Sequence, residues 1–434
     1  MRERQELFFP LDNSAIFMAA IAGRRGPFIY QFYVELRHPV VLPALEMAVE
    51  RLFPRFPYLF VRLRRGVFWQ YLEPLDKPPP VERLPPAPGL SMGSISRKGL
   101  LRIYVRGRRI ACEFHHAITD GTGAITFLKA LVVEYCRQLG IGRELDPQIL
   151  AGIPQPEEAV DPAEYEDSYN RYFRPGPPVP ETLPPAFVIP GWRMRFGYRE
   201  TIGTIPLEPL LSYCRGKKVS ITEFLVAVHI ATLQDLYTAL PAKKQRKSKK
   251  IISVQVPVNL RKIYPSRTLR NFFLFVAPYI DLRLGFWSFE EILKRVHHQM
   301  QLGLEEKELV RQIKRNVGGE RNPFNRLVVL PIKLLVLKLI NALIGVGSYS
   351  GSLSNIGSIE VPPPFDAEIE RFSFLTSRAH KTGANIGVCS FKETLYIIIG
   401  STVGEVEFER LFFRRLASCS LPVTVLMERY GGNE

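Results

Sequence analysis

Between Ile110 and Gly123 the chain reads IACEFHHAITDGTG, which places two adjacent imidazoles, His115 and His116, four or five residues ahead of a carboxylate, Asp120, with Gly121 beside it. Three kinds of chemistry compete for this set. A histidine on an apolar strand face is commonly a satisfied core residue. A metal site would use His115, His116 and Asp120, but neighbouring strand residues point to opposite faces, and no further His or Cys cluster completes four ligands. A general base needs only one neutral imidazole, desolvated and within reach of a substrate hydroxyl.

The flanking sequence says which imidazole can serve. Arg102 to Arg106 alternates Ile103 and Val105 with polar neighbours, Gly107 interrupts, and alternation resumes at Ile110, the pattern of a β-hairpin. Period two sets Ile110, Cys112, Phe114 and His116 on one face, and Arg109, Ala111, Glu113 and His115 on the other. His116 is therefore in register with the face that packs inward, and His115 is not. Asp120-Gly121 is a turn signal, where Gly121 allows a backbone conformation that a Cβ would resist. The segment from Ala124 predicts a helix apolar around most of its circumference.

HHAITDG (His115 to Gly121) matches an HHxxxDG motif, placed at a strand end before a helix about a quarter of the way along. On these residues the chain resembles the acyltransferase superfamily that includes chloramphenicol acetyltransferase, the condensation domains of peptide synthetases, wax ester synthases, polyketide-associated acyltransferases and the plant BAHD enzymes. The resemblance implies an α/β fold of two chloramphenicol-acetyltransferase-like mixed-sheet domains, with an interface tunnel holding His116 near its middle and substrates entering from opposite ends. It implies acyl transfer with His116 as general base and no covalent acyl-enzyme. Asp120 resembles the motif's structural aspartate, which turns away to pair with an arginine; Arg261 in PVNLR is the candidate. Asn271 in LRNFF resembles the asparagine of the BAHD GN motif, with Arg270 where that motif has glycine. Ser354 and Asn355 in SNIG resemble the second-domain strand bordering the tunnel; Ser354 is a candidate oxyanion donor, although a turn hydroxyl is the commoner role. The DFGWG string of the plant enzymes is absent. The nearest resemblance is to stand-alone bacterial alcohol acyltransferases related to condensation domains. A chain of this length has no room for a carrier or adenylation domain, so an assembly-line role needs partners in trans.

Composition agrees with an enzyme of this size. The 434 residues are 46% hydrophobic and 23% charged, enough to bury two cores and too apolar for disorder. Five scattered cysteines without a CxxC predict neither a disulfide framework nor a zinc ribbon, and point to a cytoplasmic protein. The N-terminus, MRERQELFFP, lacks the apolar run of a secretory signal. The net charge of +16 suits a polyanionic partner: coenzyme A, an acidic acyl carrier protein or an anionic membrane surface. No nucleic-acid module is recognisable, so nucleic acid is not expected.

Pro147 to Pro190 holds eleven prolines and is the linker candidate. The division expected is 1–160 for an N-terminal acyltransferase-like domain, 161–190 for the crossover and 191–434 for a C-terminal one. Ser220-Ile-Thr-Glu223 is a capping box opening a helix in which His229 packs; His297 and His298 read as surface residues; KKQRKSKK (Lys243 to Lys250) reads as a solvated tip. Asn325 to Val346 is apolar enough to suspect a membrane, but Arg326, Lys333, Lys338 and Asn341 fall within an arc of about 140° on a helical wheel. That stripe predicts a buried or groove-lining helix, with an interfacial helix as the second reading.

The function expected is therefore transfer of an acyl group from acyl-CoA or an acyl carrier thioester, as co-substrate and not bound cofactor, to an alcohol. Condensation-type N-acylation, a membrane-peripheral lipid O-acyltransferase and a non-catalytic scaffold are the alternatives. No metal is expected.

Overall fold

The computed structural model describes residues 8–23, 26, 28–84, 99–145, 147–180, 183–194, 198–322, 325, 327–341, 347–378 and 381–430. Among the described residues, alternating strands and helices form a mixed α/β architecture with three sheets. A five-stranded sheet runs in the order Ile369–Leu375, Ile29–Leu36, Arg109–His115, Leu101–Arg106, Val81–Arg83. Its neighbours are antiparallel except the last pair. A larger sheet belongs to the second half of the chain. There the strand Gly351–Ile359 lies parallel to both Ile251–Asn259 and Ala384–Phe391, and Thr394–Ser401, Tyr198–Pro206 and Thr424–Tyr430 continue the sheet outward. Phe9–Pro10, Val61–Arg65 and Gln70–Pro74 make a small third sheet.

Each main sheet has its own core. Ile110, Cys112 and Phe114 pack into the first, beneath the helices Leu42–Leu52 and Gly121–Gln138. The helix Ile221–Thr238, closed by the capping box of Ser220 and Glu223, fills the second with Phe224, Leu225 and Val228. Chain order does not divide the molecule as simply as 1–160 and 191–434. Ile369–Leu375 leaves the second half and becomes the edge strand of the first sheet, pairing with Ile29–Leu36. This strand has no sequence forewarning: IERFSFL alternates only in part and follows three prolines.

Several expectations shift. The strands Val61–Arg65 and Gln70–Pro74 turn at Gly66–Trp69, which leaves Val67, Phe68 and Trp69 exposed at a hairpin tip. The Pro-rich stretch that follows Gln70–Pro74 contains a short strand, Val81–Arg83, while residues 85–98 lie outside the described residues. Phe273–Val276 and Tyr279–Asp281 are separate strands, parted by Ala277-Pro278. KKQRKSKK forms most of a short exposed helix, Ala242–Lys247, in place of a loop tip. His297 is half-buried, and its Nδ1 lies 3.2 Å from Glu223 of the capping box. The Pro-rich crossover is anchored by buried groups: Arg55 donates to both carboxylate oxygens of Glu164, at 2.7 and 2.6 Å, and Tyr169 is fully buried.

Candidate functional site

The hairpin delivers His115 and His116 to the end of a strand held on both sides. His115 N–H donates to the Leu100 carbonyl and His116 N–H to the Phe28 carbonyl, at 3.0 and 2.8 Å. The chain then turns, and Asp120 starts the helix Gly121–Gln138 as its N-cap. Tyr30 closes the turn from below, its hydroxyl donating to the carbonyls of Thr119 and Asp120.

The two imidazoles have different fates. His115 is buried, not solvent-facing as its register suggested, because Tyr33, Leu84, Tyr104 and Ala111 cover that side of the sheet as well. Its Nδ1 accepts from the Ala117 N–H at 3.0 Å, which fixes the turn and occupies the nitrogen. Burial lowers its pKa to about 3. His116 is recessed: protein surrounds the ring closely enough to desolvate it, yet the residue keeps part of its surface open. The ring lies 4.3 Å from that of Tyr30 and 6.1 Å from that of Phe273, in the second half of the chain. Nδ1 is buried without a partner among the described residues, and Nε2 is not enclosed in this way. Desolvation lowers the pKa to about 4, against opposing contributions from the Asp120 charge, the Asn271 side chain and the Thr119 backbone.

Asp120 faces away from this recess. One oxygen, Oδ1, caps the helix by accepting from Thr122 N–H and Gly123 N–H at 3.0 and 3.3 Å. The other, Oδ2, accepts from Arg261 and from the Phe272 N–H at 2.8 and 2.9 Å. Arg261 is itself fixed by the Thr268 and Arg270 carbonyls and by Asn259. A buried carboxylate with four donors joins the first half of the chain to the second.

Asn271 works on the histidine backbone. Its Nδ2 donates to the His116 carbonyl at 2.8 Å and to Asp12 Oδ2 at 2.9 Å. Arg270, where the resemblance expects glycine, is almost fully buried; its Nε lies 3.6 Å from Asp12 Oδ2, and it donates to the Pro10 carbonyl. Burial raises the Asp12 pKa to about 6, with Arg270 opposing. Asp12 also caps the helix Asn13–Ile21, its Oδ1 accepting from Ala15 N–H at 2.8 Å, but nothing in the sequence announced its second oxygen as the brace of Asn271. Tyr169 was missed too: its hydroxyl accepts from Phe273 N–H and donates to Phe273 C=O, so the crossover buttresses the strand Phe273–Val276 that follows Asn271.

The glycines act by close approach, and the reason expected for Gly121 needs correcting. Gly121 is the first helical residue and has no left-handed backbone; a Cβ there would lie 2.6 Å from Cδ1 of Ile356. Gly123 is the stricter position, since a Cβ would lie 2.0 Å from the Leu269 carbonyl oxygen. Ile356 comes from the strand Gly351–Ile359, which touches both cores: Leu353 enters the second and Ile356 packs on the first. Ser354, two residues before Ile356, is half-buried. Asn355 is committed elsewhere, its Nδ2 donating to Thr222 and its Oδ1 accepting from Gly357 N–H. The structure thus gathers His115, His116, Asp120, Gly121, Arg261 and Asn271 around one turn, with Ser354 on the adjoining strand. Among the described residues no group of three or more His, Cys, Asp or Glu side chains could hold a metal ion.

No protein-family model and no curated protein matches the sequence. Solved structures do. Polyketide synthase associated protein 5 from Mycobacterium tuberculosis superposes with a TM-score of 0.58 at 14% identity, over 94% of this chain and 97% of that one. The first condensation domain of the calcium-dependent antibiotic synthetase gives 0.57 at 15% identity, over 97% and 100%. The chain has the condensation-domain fold. The TRI3 trichothecene 15-O-acetyltransferase from Fusarium sporotrichioides gives 0.59 at 12% identity, over 95% and 94%, so this fold extends over nearly the whole chain whichever neighbour is superposed. Within the condensation-domain fold, the turn around His116 lies where the first sheet meets the Arg261 and Asn271 segments of the second half.

Proposed function

We propose that the protein transfers an acyl group from a CoA or carrier-protein thioester to an alcohol hydroxyl, with His116 as the general base. The observation that carries this reading is the recessed His116 ring, neutral at physiological pH and open at one edge. A protonated hydroxyl is a weak nucleophile, so the base takes its proton as oxygen attacks the thioester carbonyl, a contribution of about 10²- to 10⁴-fold. A proton kept on the buried Nδ1 leaves Nε2 as the acceptor. The tetrahedral intermediate then collapses, the C–S bond breaks, and the imidazolium returns the proton to the departing thiolate.

The other site residues act as supports. Asp120 is saturated by helix N–H groups, Phe272 N–H and Arg261, so it holds the turn and does not relay protons. Asn271 fixes the His116 carbonyl. Ser354 is the candidate donor to the oxyanion, a role worth on the order of 3 kcal/mol in the transition state. Reactants reach His116 in this reading through a tunnel between the two sheets, the thioester from one side and the acceptor from the other. Support for the reaction class comes from the motif, the ring environment and a fold shared with a named O-acetyltransferase and a named condensation domain.

The test is thiol release from acyl-CoA substrates of increasing chain length in the presence of alcohols or amines. Alcohol-dependent release with an ester product supports the reading; amine-dependent release alone converts it to the condensation-type alternative. Thioester turnover without either acceptor, or none with any pairing of donor and acceptor, contradicts it.

A further inference from the structure

Leu330–Ile340 (LPIKLLVLKLI) is an amphipathic helix facing the wrong way for a protein in water. The expectation of a buried or groove-lining helix does not hold: within the helix only Leu330 is buried. At about 100° per residue, Lys333, Leu334, Leu337 and Asn341 group with Leu330 toward the protein. The opposite arc is wholly apolar: Ile332, Leu335, Val336 and Leu339, each between 45% and 59% exposed. Of the longer apolar stretch, Arg326 and residues 342–346 lie outside the described residues.

A second exposed element adjoins it. The Leu330 N–H donates to the Val67 carbonyl at 2.9 Å, and Lys333 Nζ donates to the Phe68 carbonyl at 2.9 Å. The hairpin tip Val67–Phe68–Trp69 thus stands beside the helix, with Trp69 59% exposed. Arg65 at the base of the tip and Lys338 on the helix flank are exposed, while Arg64 beside them pairs with Glu73 at 2.7 Å, so the apolar surface has a basic rim.

We infer that this face seats the protein on an anionic membrane surface, with the helix lying in the plane of the interface. Eleven residues span about 16 Å, roughly half the hydrocarbon thickness, so the helix cannot cross. Among the described residues no single helix is long and apolar enough to do so. Leucines on one arc, a lysine at its margin and a tryptophan at the edge are the arrangement that partitions into the headgroup–acyl boundary. Charge selects lipid over a second copy of this chain: apposing two such faces would bring two basic rims together on molecules of net charge +16, whereas anionic headgroups neutralise them. The helix packs on Asn13–Ile21, whose cap Asp12 braces Asn271 against the His116 carbonyl, so it adjoins an element that supports the candidate site. Seating is independent of the reaction chemistry and is read by binding alone.

The experiment is flotation of the full chain with phosphatidylcholine vesicles, with and without phosphatidylglycerol, at low and high salt. Binding is expected to the anionic vesicles and to weaken several-fold at high salt or on pure phosphatidylcholine. Leu335→Glu/Leu339→Glu is expected to lower partitioning at least about tenfold with an unchanged melting temperature, since both side chains are exposed. If that variant melts early, Trp69→Ser at the hairpin tip decides, with the same loss expected. Absence of binding at either salt, or binding by both variants equal to wild type, overturns the inference. So does dimerisation of the wild type through this face, abolished by Leu335→Glu/Leu339→Glu, without vesicle binding.

Discussion

Desolvation sets the working range of His116. An ordinary histidine is half protonated near pH 6.5, whereas this ring, lowered to about 4, stays a neutral base well below that. The dependence of kcat/KM on pH should therefore be flat from about pH 8 to 6.5; a fall centred near 6.5 would show that the ring is solvated as in a free peptide. The glycines of the motif make a second residue-scale prediction. Gly123→Ala drives a Cβ into a backbone carbonyl that cannot yield, while Gly121→Ala meets only the tip of a flexible isoleucine. Melting temperatures should rank wild type, Gly121→Ala and Gly123→Ala in descending order, with Gly123→Ala unfolded or nearly so. Sequence alone marked Gly121 as the demanding position, because a DG pair signals a turn; the approach of Leu269, 146 positions away in the chain, is invisible to any local pattern.

At the scale of elements, the site depends on one ionic clamp between distant segments. Asp120 caps the motif helix and holds Arg261 and Phe272 N–H, so it ties the His116 turn to the strand ends of the second half. Removing one partner of such a pair leaves the other charge buried and typically costs about 3–5 kcal/mol. Arg261→Gln should lower unfolding free energy by that order in chemical denaturation; a change under about 1 kcal/mol would mean that the pair is solvated. The hairpin, the motif helix and the capping box were readable because alternation, a turn dipeptide and a cap are local signals. The strand Ile369–Leu375 was not, since its pairing with Ile29–Leu36 is set by topology. The outward apolar arc of Leu330–Ile340 was misread for a related reason: a helical wheel locates the polar stripe but not the direction it faces.

Across the whole molecule, three desolvated histidines among the described residues tie stability to pH. His115, His116 and His229 have folded pKa values of about 3, 4 and 3, below the unfolded value near 6.5. Between those limits the unfolded chain binds protons that the folded one does not, so stability falls as pH drops from about 6.5 toward 4. Asp12, raised to about 6, opposes this in part, because below pH 6 the folded state holds its proton more readily than the unfolded one. His229 is fully buried with neither ring nitrogen partnered among the described residues. His229→Leu should therefore match wild type within about 1 kcal/mol at pH 7.5 and exceed it at pH 5. Equal losses on acidification would exclude His229 as a source of the sensitivity.

The claim on which function rests is narrower than the fold: one imidazole takes the proton of an acceptor hydroxyl. Its most direct test is the single-turnover rate of ester formation by wild type and His116→Ala, compared at equal thermal stability. The account predicts a loss of at least about 10²-fold in the variant. Equal rates would contradict it.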